Sequence, residues 1–248
     1  MNLGDLRQRI DQLDKDIQEL ISERARVALA VGACKGPQQQ PVDYYRPERE
    51  AQVLRAVMER NSGPLSDTEM VRLFREIMAS CLAQQEPLRI AYLGPEGTFT
   101  QQAVLQHFGH AVRAVAQSSM DDVFSQVQAC EADFGVVPVE NSTQGIVSHT
   151  LDLFLNSPLK ICAEVELRIH QNLLSKATGL AAIERVYSHP QSLSQCRLWL
   201  RDHLPNVELI PVSSNAEAAR RVRHAPDAAA IAGRSAAEVY GLPILFAD

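Results

Sequence analysis

The chain has 248 residues, 46% apolar and 22% charged, an ordinary globular balance that at ~100–200 residues per domain allows one or two domains. Its formal charge of −6 excludes the basic face of a general nucleic-acid binder. No run of ~18 apolar residues offers a membrane span. The N-terminus, Met1-Asn2-Leu3-Gly4-Asp5, lacks a basic stretch followed by an apolar one, so no secretory signal is expected. The five cysteines (Cys34, Cys81, Cys130, Cys162, Cys196) are odd in number and widely spaced, with no C-x-x-C. A reduced, cytoplasmic setting follows, without a disulfide framework, a zinc knuckle or a bound metal.

The first predicted element is a long helix. Leu6, Leu13, Leu20, Val27 and Cys34 recur every seven residues, as do Leu3, Ile10, Ile17, Arg24 and Val31. That is a heptad seam from about residue 3 to 35, ~50 Å at 1.5 Å per residue. A domain of 86 residues cannot cover so long a seam, so a second copy of the chain is the expected partner. Pro47 opens a second helix that reaches about Arg60, where Asn61-Ser62-Gly63-Pro64 stops it. Ser66-Asp67-Thr68-Glu69 reads as a capping box for a third helix, with Met70, Leu73, Phe74, Ile77, Met78 and Cys81 as its apolar stripe. Pro87 marks the boundary: residues 1–86 form an all-α domain and residues 88–248 a different one.

One seam position breaks the pattern. Arg24 stands where an aliphatic side chain belongs, and a buried cation is costly unless paired or hydrated. Lys35 lies eleven residues on, about three turns, and faces the same way. Two cations aimed at one interior fit an anion site; each could equally pair with a carboxylate such as Glu48. Ser80 and Gln84 lie one turn apart on the third helix, and a buried Gln would offer a neutral donor to an ether or carboxylate oxygen.

The string Leu6-Arg7-x-x-Ile10-Asp11-x-x-Asp14, Glu23-Arg24, Lys35, Pro47-Glu48-Arg49-Glu50 and Ser80-x-x-x-Gln84 resembles the all-helical chorismate mutases. The resemblance implies an intertwined homodimer of three-helix protomers. Arg24 and the other protomer's Arg7 would hold the two carboxylates of chorismate. Lys35 and Gln84 would meet the ether oxygen, Glu48 the ring hydroxyl and Ser80 a carboxylate. A Claisen rearrangement needs no cofactor and no nucleophile. It needs a compact conformer and cationic stabilisation of an oxygen that gains charge as the C–O bond breaks. Tyr44 and Pro47 depart from relatives that carry Asp and Arg in this segment.

Beyond Pro87 the pattern is α/β. Arg89–Leu93 reads as a strand running into Gly94-Pro95-Glu96-Gly97-Thr98-Phe99-Thr100 and a helix to about Phe108. Such a turn presents free amides to an anion, although the glycine spacing fits neither a Walker loop nor a dinucleotide fingerprint. Ser118 or Ser119 caps the next helix. Phe134–Val139 reads as a buried strand, and a helix lies near 146–155. A long strand is expected from about Ile161 to Leu174. Strands at Val186–Ser188, Val207–Val212, Ala228–Ala232 and Ile244–Phe246 alternate with helices at 191–204, from Ser214 through Arg223, and over Arg234–Gly241. Thr98, Ser118, Ser142, Ser188 and Ser214 stand where strands meet helices. Each either caps its own helix or faces a shared crevice.

Gly94-Pro95-x-Gly97-Thr98-Phe99, Pro138-Val139-Glu140-Asn141-Ser142, Glu166-Leu167-x-Ile169-x-x-x-Leu173-Leu174, Ser188-His189-x-Gln191, and Ala230-Ile231-Ala232 with Tyr240-Gly241-Leu242 resemble prephenate dehydratase. With the helical domain in front, the chain is similar to the bifunctional family of phenylalanine synthesis that joins the two activities. That implies an α/β domain of the two-lobed, periplasmic-binding-protein type. Prephenate would be held by Thr98, Asn141, Ser142, Ser188, Gln191 and Ser214, with Glu140 orienting its neighbours. His189 reads either as an acid or as a structural hydrogen bonder. The family's Thr-Arg-Phe string is not found after Leu242, so the chain reads as truncated and is expected to stop at prephenate. A rival reading is a non-catalytic two-lobed module that binds an aromatic acid, with the helices serving only to dimerise.

Overall fold

The computed structural model describes residues 2–34, 45–142 and 145–247. They form two compact units that do not follow chain order. One holds Met1–Ile90, Leu105–Arg113 and Ala132–Phe134; the other holds Ala91–Val104, Ala114–Glu131 and Gly135–Asp248.

The first unit is built on three helices, α1 (Leu3–Cys34), α2 (Pro47–Arg60) and α3 (Asp67–Ala83). Pro47 sits in the first turn of α2, where its missing N–H has no helical partner to lose. Ser66 caps α3 by accepting from the Glu69 amide at 3.2 Å. Both α1 and α2 pack on α3. The inward faces of α2 and α3 bury Leu54, Val57 and Cys81. In α1, Gly32 is the one buried residue, and Leu3, Ile10, Ile17, Leu20 and Val27 are more than half exposed.

Residues 105–113 are fastened to α3. Arg75 donates to the Gln106 carbonyl at 3.1 Å and meets Glu50 at 3.4 Å. The Glu76 carboxylate accepts the His110 amide at 3.1 Å and meets its Nδ1 at 2.7 Å. Gly109 has φ +77°, and a Cβ there would come within 2.8 Å of Ala79 Cβ, so only glycine fits this approach. Tyr45, Phe108 and Phe134 make a three-ring cluster with centroids 5.3–5.7 Å apart.

The rest is α/β. In chain order come β1 (Arg89–Leu93), α4 (Phe99–Phe108), β2 (Arg113–Gln117), α5 (Met120–Gln128), β3 (Phe134–Val136), β4 (Glu140–Asn141), β5 (Gly145–Ile146), α6 (Ser148–Leu155) and β6 (Asn172–Ser175). Then follow β7 (Arg185–Ser188), α7 (Pro190–Gln195), α8 (Arg197–His203), β8 (Glu208–Pro211), α9 (Asn215–Val222), β9 (Ala228–Ala232), α10 (Arg234–Tyr240) and β10 (Ile244–Phe246). A three-stranded sheet has the order β2-β1-β3, and a five-stranded sheet the order β10-β6-β9-β7-β8. β9 is parallel to β7 and antiparallel to β6, with Ala230 opposite both Tyr187 and Leu174. Its alanines leave room for α9 and α10, whose Ala218, Ala219, Ala236 and Ala237 pack into the same core. Small residues on both surfaces let backbone approach backbone.

Three predicted elements change. The strand expected from Ile161 to Leu174 is confined to Asn172–Ser175, and residues 157–171 belong to no helix or strand. Alternation describes one face of a strand, but a strand exists only in a ladder, and Ile161 and Ile169 are exposed here. β3 stops at Val136, two residues before Pro138, which has no N–H to continue it. The helix expected over 191–204 is two, α7 and α8, divided at Cys196. None of the five cysteines is in a disulfide. Among the described residues no helix is long and apolar enough to cross a membrane.

Candidate functional site

A cavity of about 440 Å³ lies in the first unit. α1 contributes Arg24, Val27, Ala28 and Val31 to its wall, positions spaced i, i+3, i+4 and i+7 along one helical face. Arg46, Arg49, Glu50 and Val53 come from the start of α2, and Arg75, Met78, Cys81 and Gln85 from α3 and its end. Four arginines and one glutamate thus stand among residues whose lining surface is mostly apolar, and an excess of arginine over carboxylate suits a dianion. Arg24 makes no ion pair with a described residue, Glu48 included. Gln85 donates from Nε2 to the Ala28 carbonyl at 2.8 Å, and its Oε1 is buried without a partner. A Cβ on Gly32 would collide with that Oε1, so glycine is what lets the amide lie against α1. Burial pushes the nearby His107 imidazole below its usual range, against the pull of Glu50 and with Arg75 adding to the fall.

The structure brings only part of the predicted mutase set to this cavity. Arg24 is there. Glu48, Ser80 and Gln84 are exposed and do not line it, and Arg7 is exposed on α1. Lys35 lies outside the described residues. The displacement is one of helical phase. Glu48 and Glu50 are separated by about 200° around α2, and Gln84 and Gln85 by about 100° around their helix end. Glu50, Cys81 and Gln85 occupy the inward places instead. A signal for Glu50 exists in the sequence, because it shares an i, i+3, i+4, i+7 stripe with Val53, Leu54 and Val57.

A second polar constellation lies in the other unit. Gln191 Nε2 donates to Asn141 Oδ1 at 2.9 Å, joining the start of α7 to β4. Thr98 is half-buried; its hydroxyl donates to the Leu93 carbonyl at 3.2 Å and accepts weakly from the Gln101 amide at 3.4 Å. Glu140 and Ser142 are exposed. Glu140 pairs in register with Ile146. Ser214 caps α9 by accepting from the Glu217 amide at 3.0 Å. Ser188 is fully buried, with its hydroxyl 2.8 Å from the Ile231 carbonyl and 2.9 Å from Asn215 Oδ1, two acceptors for one proton. It therefore faces the interior rather than a ligand. His189 takes the structural role open to it, capping α7 as Nδ1 accepts from the Gln191 amide at 3.3 Å. Of the predicted caps, Ser119 rather than Ser118 caps α5, while Ser118 donates to Asp122; α6 has no side-chain cap.

Asn215 is the residue that sequence reasoning missed. It is 9% exposed; Oδ1 accepts from the His189 amide at 3.0 Å, and Nδ2 donates to Ser192 Oγ at 2.8 Å. It ties α9 to the β7–α7 turn that carries Gln191. An Asn after a capping Ser looks like any first-turn residue, and only the packing gives it this place. Tyr92, wholly buried on β1, has a hydroxyl without a partner, and burial first, then Glu96 and Tyr240, pushes its pKa up to about 12.

A three-helix unit with four arginines on the wall of a cavity, in one chain with an α/β part of three sheets, defines a two-part protein of the helical-plus-α/β class. The prephenate dehydratase family model matches residues 90–248, and the chorismate mutase type II model matches residues 6–86. A bifunctional chorismate mutase/prephenate dehydratase from Stutzerimonas stutzeri is 58% identical over 241 residues, covering 96% of this chain and 66% of that one. One from Aquifex aeolicus is 39% identical over 247 residues, covering 98% and 68%. The crystal structure of prephenate dehydratase in complex with L-Phe from Arthrobacter aurescens superposes with a TM-score of 0.60 at 35% identity, over 65% of this chain and 55% of that one. The chain belongs to the bifunctional chorismate mutase/prephenate dehydratase family. It spans about two thirds of the length of the curated relatives it matches. Membership favours the enzyme over the non-catalytic binding module.

Proposed function

We propose that the chain isomerises chorismate to prephenate in residues 1–86 and takes prephenate on to phenylpyruvate in residues 88–248, as steps of phenylalanine biosynthesis; the prephenate dehydratase match over residues 90–248 favours this second step over the stop at prephenate expected from the missing Thr-Arg-Phe string. The observation that carries the first reaction is the cavity with Arg24, Arg46, Arg49 and Arg75 on its wall and Gln85 at its end. Chorismate is a dicarboxylate, and guanidinium groups hold carboxylates in fixed orientation. Holding the side chain over the ring brings the two carbons that bond into contact while the ether C–O bond breaks. The ether oxygen gains charge in that step, and Lys35 and the second N–H of Gln85 are the groups we assign to it. Glu50 is assigned to the ring hydroxyl in place of Glu48. In the second reaction, the ring carboxylate leaves as CO2, the hydroxyl leaves as water with an added proton, and the ring becomes aromatic. Thr98, Asn141, Gln191 and Ser214 are the prephenate contacts we retain. The working form is a cytoplasmic homodimer joined through α1, with Arg7 entering the other protomer's site, and neither reaction uses a cofactor.

The test is an assay on the purified protein. Chorismate absorbance should fall, and acid treatment of the product should yield phenylpyruvate in an amount equal to the chorismate lost. Arg24→Ala should lower kcat/KM by ~10²–10³-fold, the usual loss for a group that stabilises developing charge. Unchanged chorismate would sink the mutase reading. Prephenate supplied directly should give phenylpyruvate without acid; its persistence would remove the second reaction and leave the first intact.

A further inference from the structure

One buried amide stands behind the polar constellation of the α/β part. Asn215 is the first residue of α9 and is 9% exposed. Its Oδ1 accepts from the His189 amide at 3.0 Å and lies 2.9 Å from the Ser188 hydroxyl. Its Nδ2 donates to Ser192 Oγ at 2.8 Å and more weakly to Gln171 Oε1 at 3.4 Å. A backbone N–H can only donate, so the His189 amide fixes which end of the Asn215 side chain faces it. Gln171, just before β6, closes the network by donating to Ser192 Oγ at 3.1 Å. Ser188, His189 and Ser192 bracket Gln191 on both sides. Gln191 is half-buried and reaches out of this turn, with its Nε2 2.9 Å from Asn141 Oδ1 on β4.

We propose that Asn215 is a positioning residue for the dehydratase step: it fixes the turn from Ser188 to Ser192 so that Gln191 meets Asn141 and prephenate in one orientation. The inference rests on the reading of Asn141, Gln191 and Ser214 as prephenate contacts. Asn215 follows Ser214 in the chain, so one side chain also sets α9, which carries Ser214, against α7, which carries Gln191. Both lone pairs and both N–H groups of its amide are turned to protein, which leaves none for a ligand. A satisfied buried network holds one geometry, because any other leaves a polar group unpaired. An apolar side chain could fill the same space, but it could not answer the His189 N–H or the Ser192 hydroxyl. Without those bonds the turn is free to shift, and a displacement of ~1 Å far from the chemistry can lower a rate ~10²-fold.

The test measures prephenate binding by titration calorimetry and prephenate turnover in the full chain, beside a thermal melt and the kinetics on chorismate. Asn215→Ala should weaken prephenate binding and lower kcat/KM for prephenate ~10²-fold, with chorismate kinetics at the parental level. Gln191→Ala should lose a similar amount. The double variant should lose no more than the larger single loss, because both residues act through one contact. A residue that serves only the fold would lower the melting temperature and leave the folded protein's kinetics parental, or would give a loss that multiplies with that of Gln191→Ala. Either result would overturn the proposal. If Asn215→Ala fails to fold, Ser192→Ala decides. It removes one anchoring bond at nearly constant volume and should lower kcat/KM by up to ~10-fold, again without adding to Gln191→Ala. Where prephenate binds without turnover, the dissociation constants carry the same comparison. Parental behaviour in folded Asn215→Ala beside an impaired Gln191→Ala would overturn the positioning role alone. Parental behaviour in Gln191→Ala would remove Gln191 from the prephenate site and this inference with it. A parent that neither binds nor converts prephenate would remove the second reaction itself.

Discussion

Strand β9 and helix α1 are both written in apolar residues, yet their surroundings differ. All five residues of β9 are buried, at 0–3% exposure. In α1, 32 residues long, Gly32 is the one buried residue, and Leu3 and Leu20 are about two-thirds exposed. The strand is closed by its own chain: β6 and β7 complete its ladder, and α9 and α10 cover it. The helix meets its own chain through α3 along part of its length, at the end that carries Arg24, Ala28 and Gly32. Apolar patterning states a demand for cover; whether the chain meets that demand is a separate matter. A seam left open over most of a ~50 Å rod is the strongest support for the proposed second copy, since a patch of that extent is rare on a monomer.

Charged substitutions break this comparison most sharply. Ala230→Asp puts a carboxylate in the middle of β9, with no partner and no water, and should cost ~4 kcal/mol or more. Urea denaturation would read that loss, and a parental midpoint would show that β9 is not the closed core described here. The same kind of change on α1, Ile17→Asp, should leave that core intact and halve the particle mass measured by light scattering. A parental mass would mean that something other than a second copy covers the seam.

A smaller effect probes the end of α1 that its own chain does cover. Gln85→Ala should lower kcat ~10²-fold as a lost donor to developing charge, whereas Gln84→Ala should stay within about twofold. Equal losses would mean that both amides serve the site and that the helical phase is not decisive. Gly32→Val would drive a branched side chain into the Gln85 amide, and should cost ~1–3 kcal/mol through overpacking and reduce kcat by displacing Gln85. Thermal melting and chorismate turnover measured together would test both effects.

The smallest effect belongs to the surface of α9. Two hydrogen-bonded guanidinium groups, Arg220 and Arg221, bring the Glu217 carboxyl down to about 2 from an ordinary 4.5. A depressed carboxyl stabilises the folded state fully above its unfolded value and loses that contribution as pH falls through the folded one. Glu217→Gln should therefore flatten the decline in stability between pH 4.5 and 2. At neutral pH it should cost less than ~1 kcal/mol, because the arginines are exposed to solvent. Parallel acid limbs for parent and variant would exclude this pair as a source of the decline.

Much of the molecule was legible without coordinates. Heptad spacing gives α1 to its last described residue, Pro47 gives the start of α2, and Ser66 gives the cap of α3. These are local rules: a cap, a proline and a repeat act within one or two turns, so the residues that enforce them are adjacent in sequence. The short strands β7 and β9 were equally plain, each an apolar run between turn residues. The longest of the three elements that changed, 161–174, failed because a ladder is not local.

The sequence by itself determined that one seam position, Arg24, is cationic and unfit for packing, and the structure finds it on the wall of a cavity. It could not determine which of two neighbouring residues turns inward beside it. Glu48 and Glu50, Ser80 and Cys81, and Gln84 and Gln85 are adjacent or nearly so, chemically reasonable in either place, and separated only by rotation about a helix axis. That rotation is set by how Leu54, Val57 and Cys81 are buried between α2 and α3. Nor could it place Phe108, Ala111 and Val112 on the same wall, since the bonds from Arg75 and Glu76 that hold them reach across 31 and 34 residues. Contacts at that separation leave no period or cap in the chain. They arise only when packing has fixed both partners, and tertiary structure alone decides them.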